Sequence, residues 1–435
     1  MPARLKRLLE NPPPGPFREG FWRSPIRGPW LASVLSSALL PLIVICAVTG
    51  FVSHAAYDPE LGSNSVTGPS PLPIELLPFD WPATWPWLYA VNQGLHVVAG
   101  IAAIPILLAK LWAVIPKLFE WPPVRSVAHA LERLSLALLV GGSLWVLFSG
   151  VLNIQLFYPW PFPFVPAHYY GAIVFLGALL FHLVIKLPVV AAALRERGLT
   201  PLREDAAHTE PEPPLAALGE IQHTSAPAAP GPTTVSRRAL LGTVAAGSAG
   251  LVVLTAGQSI GGPLRQVSIL APRGREYGDG PNDFPVNKTA QGRGITEEMV
   301  GSSWRLTLVG SARVELSREQ LLALPQRTHT LPIACVEGWS STQDWTGVPL
   351  RDLATLAGVP ADRAVFVQSL QEGGSFRKVT LNPGQVADSR SLLALKVNEA
   401  DLSLDHGFPA RIIVPALPGV HCTKWVSSLD FTKEA

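Results

Sequence analysis

Long apolar runs alternate with polar or proline-rich segments through the first half of the chain. Four runs, at roughly 31–53, 88–112, 132–152 and 169–193, each approach or exceed the length of about 20 mostly apolar residues that a membrane helix needs. A fifth run, 239–260, is richer in Gly, Ala and Ser. The pattern predicts an all-α transmembrane bundle of four helices and one extra anchor helix.

The pattern changes after the fifth run to short alternating segments, such as 304–309 and 410–414, with brief helical runs at 317–323 and 349–357. This indicates an α+β, β-rich domain. The stretch before the fifth run holds Pro, Ala and Glu without apolar periodicity, which predicts a disordered linker. The chain is therefore expected to be multidomain: a membrane domain at 1–195, a cytoplasmic linker at 196–235, a fifth helix at 236–262, and a final domain at 263–435.

Composition supports a membrane protein. Hydrophobic residues make up 48% and charged residues 15% of the sequence, with a positive mean hydropathy, which is too apolar for an ordinary soluble protein. The net charge of +2 gives no reason to expect nucleic acid as a partner. Three scattered cysteines exclude a disulfide framework and a CxxC metal site.

The lysines and arginines sort by side of the membrane. None lies in the 54–87 and 153–168 loops. They occur within the 110–133 connection and before the first run, at Arg4, Lys6, Arg7, Arg18, Arg23 and Arg27. The positive-inside rule then predicts a cytoplasmic N-terminus and an extracytoplasmic final domain, in the cell (inner) membrane.

The fifth helix begins with Ser236-Arg237-Arg238, which resembles a twin-arginine export signal placed internally. That pathway carries folded, cofactor-loaded domains. The alternative is a simple positive-inside anchor, because paired arginines before a membrane helix are common. Both interpretations place the final domain outside.

Histidines inside membrane helices are expensive and usually functional. The bundle holds His96, His168 and His182, with His54 and His129 nearer helix ends. His168 and His182 are 14 residues apart, about 21 Å of helical rise, so they face the same way at two depths. Two stacked haems would need this arrangement, whereas the alternative is that the histidines only form hydrogen bonds within the bundle.

The stretches 94–100, 168–172 and 181–182 resemble the four-helix cytochrome b subunits of formate dehydrogenases and hydrogenases. The resemblance implies that His96 and His168 hold an outer haem b. The family's remaining ligand position, on the first helix, offers only residues 27–30, without histidine. His182 and His129 are therefore the candidates for a second haem. However, His129 lies about 36 Å along the helix from Asn153 at its outer end, which is too deep for pairing with His182.

Cys335 follows an apolar strand, 331–334. From chemistry alone, a lone cysteine at a strand end is a nucleophile, a soft-metal ligand or a buried small residue. Cys46, inside the first apolar run, is interpreted as a packing residue.

The domain resembles the molybdopterin-binding domain of the sulfite oxidase superfamily over most of 282–433. The residues that carry the resemblance are the stretches 334–340, 345–350, 395–398 and 405–411, followed by Pro415, Pro418-Gly419 and Lys424-Trp425.

The resemblance implies a Mo-molybdopterin cofactor, with Cys335 as the only protein thiolate on molybdenum. It implies that Arg411 and the Cys422-Thr423-Lys424 segment bind the pterin phosphate, as cations and main-chain donors do. It assigns further pterin contacts to Asn287, Ser369 and His406. Taken singly, Arg411 would be a surface strand charge and Lys424 a solvated loop lysine.

Sulfite-oxidising relatives carry an arginine five residues after the metal cysteine, where this sequence has Ser340. The local sequence is closer to the bacterial methionine sulfoxide reductase branch, whose neutral pocket suits uncharged substrates. The resemblance implies a membrane-bound oxidoreductase that passes electrons from quinol through haem b to molybdenum and reduces an S- or N-oxide. The alternatives are a sulfite-type oxidase that delivers electrons to quinone, and a non-catalytic electron-transfer or binding protein.

Overall fold

A computed structural model describes residues 11–57, 81–124, 126–162, 164–213, 215–216, 226–227, 229–273 and 277–433. Within these ranges, five long helices match the five predicted runs. They are α1 (Pro29–Tyr57), α2 (Leu88–Leu118), α3 (Val127–Ile154), α4 (Phe164–Arg197) and α5 (Arg237–Ile260). The prediction of five apolar helices is confirmed.

All five helices are long and apolar enough to cross a membrane. Large apolar side chains, including Val48, Leu180 and Val184, are exposed along them. Such a surface is unfavourable in water but suits hydrocarbon, where the helix satisfies its own backbone hydrogen bonds. The chain is a membrane protein.

The C-terminal part is β-rich, as the short alternating segments predict. Its strands are β1 (Leu306–Val309), β2 (Arg313–Leu316), β3 (Arg327–Ala334), β4 (Ser340–Pro349), β5 (Val365–Ser369), β6 (Lys378–Leu381), β7 (Leu392–Val397), β8 (Ala400–Asp401), β9 (Arg411–Ile413) and β10 (Val426–Asp430). One sheet has the order β2-β1-β10-β5-β6, and the other has β3-β4-β7-β8, with β9 also paired to β7. Only the β1–β10 pairing is parallel among these strands; the others are antiparallel.

A short helix, α6 (Leu264–Val267), follows α5, and three more short helices connect strands: α7 (Arg318–Ala323), α8 (Leu350–Leu356) and α9 (Pro383–Ala387). The alternation in β1 buries Leu306 and Leu308 and leaves the intervening residues half-buried. Trp345 on β4 is fully buried in the same hydrophobic core.

The chain divides into two compact units. One contains Met1–Ala47, Ala99–Asn153 and Tyr158–Val252, and the other contains Val48–Val98, Ile154–Phe157 and Val253–Ala435. The second unit therefore joins the ends of α1 and α5 and the start of α2 to the β-rich domain. Within it, Trp81 donates its indole N–H to the Ala416 carbonyl at 2.7 Å, and Tyr89 is buried in the core of the domain.

The predicted disordered linker forms contacts with the start of α1. Glu212, inside the predicted linker, is buried and accepts hydrogen bonds from the backbone N–H groups of Trp30 at 2.7 Å and Leu31 at 3.4 Å. The first N–H groups of a helix have no partner within it, and at the start of α1 they are buried, so a carboxylate satisfies them. Glu212 therefore has fixed partners in the structure, whereas the bounds of the linker and its disorder stay a prediction.

Candidate functional site

Cys335 lies in a tight turn between β3 and β4. Its N–H donates to the Trp339 carbonyl at 2.9 Å, and its carbonyl accepts from the Gly338 N–H at 2.9 Å. Gly338 has φ of 91°, a left-handed conformation that favours glycine. The side chain is buried, with 2% of Cys335 exposed. The turn, defined here as the Cys335 loop (residues 335–340), therefore holds the cysteine in a fixed backbone conformation.

Glu337 stabilises the Cys335 loop through a hydrogen bond and an ion pair. Its buried carboxylate accepts from the Trp339 indole at 2.9 Å and forms an ion pair with Arg273 at 2.8 Å. Burial and the nearby Glu337 raise the pKa of the Cys335 thiol. The thiolate is therefore favoured only when a cation binds to it, as a metal ion does. Sequence patterns did not reveal the Arg273–Glu337 pair, because its members are 64 positions apart.

The β-rich domain contains two buried cations that interact with each other, and one of them, Lys424, also interacts electrostatically with Cys335. Arg411 and Lys424 are 3% and 7% exposed, and both side chains pack against Gly407, where any Cβ would meet them. Lys424 donates to the carbonyls of Lys288 at 2.8 Å and Asp405 at 2.7 Å. Burial lowers the pKa of Arg411 to about 10, and burial and Arg411 lower that of Lys424 well below its ordinary value.

Neither cation forms an ion pair in the described part of the chain, although the Asp405 carboxylate interacts electrostatically with Lys424. Arg411 Nε and Thr423 Oγ1 are buried without a hydrogen-bond partner among the described residues. Lys424 also interacts electrostatically with Cys335. Because buried cations are costly unless they are paired, this arrangement favours an anionic ligand beside Cys335.

The other predicted site residues surround these cations to different degrees. Cys422 is buried next to Thr423, and its thiol interacts electrostatically with Arg411. Ser369 donates to the Lys424 carbonyl at 2.7 Å, so it supports the loop that carries the lysine. Asn287 accepts from Lys288 N–H at 2.8 Å.

His406 has a packing role in this structure. Its Nε2 donates to the Asn282 carbonyl at 2.9 Å, and its ring stacks on Phe284. Its carbonyl, rather than its imidazole, accepts from Arg411 at 3.2 Å.

Each histidine predicted for the outer haem has a hydroxyl and a glycine beside its ring. His96 Nδ1 lies 3.1 Å from Thr49 Oγ1, and a Cβ on Gly50 would come within 3.1 Å of its Cε1. His168 Nδ1 lies 3.1 Å from Ser149 Oγ, and a Cβ on Gly150 would lie 3.4 Å from its Cε1. A hydrogen bond at Nδ1 fixes the ring of a metal-binding histidine and directs Nε2 to the iron.

The two remaining candidate histidines occupy separate helices. His182 lies in the middle of α4, and His129 lies in the first turn of α3, where its N–H donates to Ser126 Oγ at 3.1 Å. Haem ligation by either one stays a prediction.

The β-rich domain matches a family model described as the oxidoreductase molybdopterin binding domain, over residues 294–435. The chain is also 32% identical over 136 residues to the uncharacterized oxidoreductase YuiH of Bacillus subtilis, a match that covers 31% of this chain and 67% of YuiH.

This chain belongs to the molybdopterin-binding oxidoreductases.

Two further relatives extend the comparison. Sulfite oxidase of Arabidopsis thaliana is 31% identical over 104 residues, which cover 21% of this chain and 26% of that enzyme. A protein of Azospira oryzae with the name protein-methionine-sulfoxide reductase subunit YedZ1 is 27% identical over 151 residues, which cover 34% of this chain and 56% of that protein. The chain thus spans about a quarter of one relative and little more than half of the other.

The residues of this molybdopterin-binding oxidoreductase fit its cofactor. A pterin phosphate would neutralise Arg411 and Lys424, and would give Arg411 Nε and Thr423 Oγ1 the partners that they lack among the described residues. The buried, free Cys335 would supply a soft thiolate of the kind that suits molybdenum. The cofactor is therefore consistent with both the charge and the donor set of the site.

His406 gives this oxidoreductase a testable dependence on pH. Burial, Arg411 and Lys424 lower the pKa of His406 to about 3, against about 6.5 in an unfolded chain. Between these values the unfolded state binds more protons, so the free energy of unfolding should fall as the pH falls, by up to about 1.4 kcal/mol per pH unit. Above about pH 6.5 the contribution is fully present. Thermal unfolding of the detergent-solubilised protein at about pH 7 and about pH 5 measures the effect.

The control is His406→Asn, which keeps a donor for Asn282 but does not titrate. Its melting temperature should fall less than that of the wild type over the same pH interval. Equal falls in both proteins would show that His406 does not control the stability of the domain at low pH.

Proposed function

We propose that this protein is a membrane-bound molybdenum enzyme that passes electrons between the quinone pool, haem b and a Mo-molybdopterin centre, and that it reduces a small S- or N-oxide. The observation that carries the proposal is the pair of buried cations, Arg411 and Lys424, which form no ion pair among the described residues, with Lys424 in electrostatic interaction with the buried Cys335. Together they form a site for an anionic cofactor that carries a soft metal.

The chain's own residues position this cofactor. Cys335 contributes its thiolate from a turn that Glu337 and Arg273 brace. Arg411, Thr423 and Lys424 hold the phosphate end, with Lys424 fixed by two main-chain carbonyls. When bound, molybdenum supplies the oxygen-atom transfer chemistry. In this proposal Asn287, Ser369, His406 and Cys422 act as supporting residues around the pterin.

Haem b is proposed for the membrane part, with His96 and His168 as ligands. Support comes from the hydroxyl groups of Thr49 and Ser149, each of which fixes the Nδ1 side of one of these rings. Histidines within membrane helices are rarely idle. His182, with His129 as the remaining candidate, would serve a second haem.

The proposed reaction balances with quinol as the electron donor. Reduction of one S-oxide consumes two electrons and two protons and releases one sulfide and one water, while one quinol is oxidised to quinone. Membrane lipid surrounds the helices, the N-terminus is cytoplasmic and the final domain is extracytoplasmic. The proposed domains are those given by the sequence: 1–195, 196–235, 236–262 and 263–435.

A second candidate function is oxidation of sulfite with delivery of electrons to quinone. Ser340 is neutral, and its hydroxyl donates to the Ser259 carbonyl at 2.6 Å. However, Arg265 donates to the Ser340 carbonyl at 3.3 Å, so a guanidinium from another part of the chain reaches the position where the sulfite-oxidising relatives carry an arginine. This contact favours an anionic substrate and makes a direct comparison of the two reactions necessary.

Absorption spectroscopy of the purified protein, combined with molybdenum and pterin analysis, tests the proposal. We expect one molybdenum and one molybdopterin per chain, and a b-type haem spectrum from which His96→Ala or His168→Ala removes the α-band of the outer haem. Methionine sulfoxide added without air should reoxidise the reduced haem. Sulfite should reduce the oxidised haem little or not at all.

Haem reduction by sulfite, without reoxidation by any oxide, would replace the first candidate function with the second. In that case Arg265→Gln should raise the KM for sulfite. A full haem spectrum in a variant lacking both His96 and His168 would contradict the haem assignment.

A further inference from the structure

Two membrane helices anchor the Cys335 loop at their ends. From α2, Gln93 Nε2 donates to the Val336 carbonyl at 2.9 Å, and Val97 packs against Gly338, where a Cβ would meet its methyl groups. From α5, Ser259 donates to the Gly338 carbonyl, while its own carbonyl accepts from Ser340. The loop that carries the metal cysteine is therefore attached directly to the helices of the membrane part.

Gln93 is held at both ends of its carboxamide. Besides its bond to Val336, its Oε1 accepts from Ser53 Oγ at 3.1 Å, and Ser53 lies 3.3 Å from the Tyr89 hydroxyl. Gln93 is only 5% exposed. A buried carboxamide in an apolar helix is costly without partners, and here the hydrogen bonds fix its orientation. The result is a rigid polar link from α1 and α2 to the residue next to Cys335.

The same helical turn carries a proposed haem ligand. Gln93 and His96 are three residues apart on α2, and residues at this spacing lie on one face of a helix. Val97, next to His96, contacts the loop as well. A histidine and a metal cysteine are thus connected through one helical turn, one hydrogen bond and the Val336 backbone.

We propose that Gln93 is a positioning residue for electron transfer between the haem at His96 and the centre at Cys335. The inference rests on the proposed function, because it requires haem b and molybdenum to exchange electrons. Gln93 holds the loop against α2 and provides the hydrogen-bonded connection between the two centres. It touches neither substrate nor metal, so its effect is on the rate of internal electron transfer rather than on substrate binding.

Gln93→Leu tests the proposal in the full chain, reconstituted in lipid, because leucine has similar bulk but neither hydrogen bond. Haem and molybdenum contents and the KM for methionine sulfoxide should stay at the wild-type values. The rate at which methionine sulfoxide reoxidises the reduced haem should fall by about tenfold or more, the effect typical of losing an outer-shell partner. Amide hydrogen exchange in residues 335–340 should become faster, which reports on the loop independently of turnover. Ser53→Ala, a milder change, should shift both measurements in the same direction.

Gln385→Leu is the matched control. Gln385 is also 5% exposed and donates its carboxamide to a main-chain carbonyl, that of Trp81, at 3.3 Å, but among the described residues it forms no hydrogen bond with the Cys335 loop. It should leave both the haem reoxidation rate and the exchange of 335–340 unchanged, although the loss of its capping interaction with Asn382 lowers stability.

The outcomes separate the two proposals. Slower haem reoxidation and faster exchange in Gln93→Leu, with the control unaffected, support the inference. An unchanged reoxidation rate in Gln93→Leu, with haem and molybdenum present and wild-type reoxidation observed, overturns the inference and leaves the proposed function standing. Absence of haem from the wild type, or of any oxide-dependent reoxidation, overturns both.

Discussion

Cys335→Ser should abolish turnover while leaving the haem spectrum intact. Serine provides a hard, weakly acidic oxygen in place of the soft thiolate. The buried turn contains no second cysteine that could replace Cys335 as a ligand. The haem ligands proposed here, His96 and His168, are on helices and do not depend on this side chain. Steady-state reduction of methionine sulfoxide measures turnover. Metal analysis and the absorption spectrum of the same preparation measure the molybdenum and haem contents.

The control for this substitution is Cys46→Ser on α1, which removes a thiol without altering the Cys335 loop. It should retain molybdenum, haem and activity. Wild-type turnover and molybdenum content in Cys335→Ser would show that the protein thiolate is not a ligand of the metal.

Arg237→Ala should destabilise the folded protein by about 3 to 5 kcal/mol, the cost of leaving one member of a buried ion pair without its partner. The Arg237 side chain is 1% exposed and pairs with Glu212, which is 0% exposed, at 3.3 Å, and with Glu204 at 2.9 Å. It also donates to the carbonyls of Pro25 at 3.1 Å and Glu210 at 2.8 Å. The melting temperature in detergent measures the loss, and Glu212→Gln combined with Arg237→Met should recover part of it.

Arg238 offers a matched control, because it is the adjacent arginine and is exposed. Arg238→Ala should change the free energy of unfolding by no more than about 0.5 kcal/mol.

Substitutions of Arg237 and Arg238 also distinguish the two interpretations of the twin arginines. If they form an export signal, Arg237→Lys and Arg238→Lys should both reduce the amount of domain that reaches the outside. Equal stability of the Arg237 and Arg238 variants would contradict the structural role of the buried pair.

The elements of the fold were largely predictable because they depend on local patterns. Apolar runs of membrane length gave α1 to α5, and alternation gave β1 and β9 within two residues of their observed bounds. The contacts of the predicted linker could not be predicted from local patterns. Residues 196–235 lack apolar periodicity, but Glu212 is ordered by the unpaired N–H groups of a helix about 180 positions away, and no local pattern reports that requirement.

The candidate site was predictable only as a set of residue types. The family resemblance identified Cys335, Arg411 and Lys424 as site residues. The resemblance did not reveal that Glu337 forms an ion pair with Arg273, that Arg265 donates to the Ser340 carbonyl, or that His406 stacks on Phe284. Each of these contacts joins segments that are distant in sequence.

The sequence by itself predicted five apolar helices and a β-rich domain, because hydrophobic periodicity is a property of neighbouring residues, and the resemblance of its short motifs added the molybdopterin cofactor. Only the tertiary structure decided which charges are neutralised and which helix turn reaches the loop. Arg273 is paired and Arg411 has no ion-pair partner among the described residues, although both are arginines in the same domain. Gln93 contacts Val336 across 243 positions. Burial and pairing depend on what the fold places nearby, and they set the electrostatics on which the proposed chemistry depends.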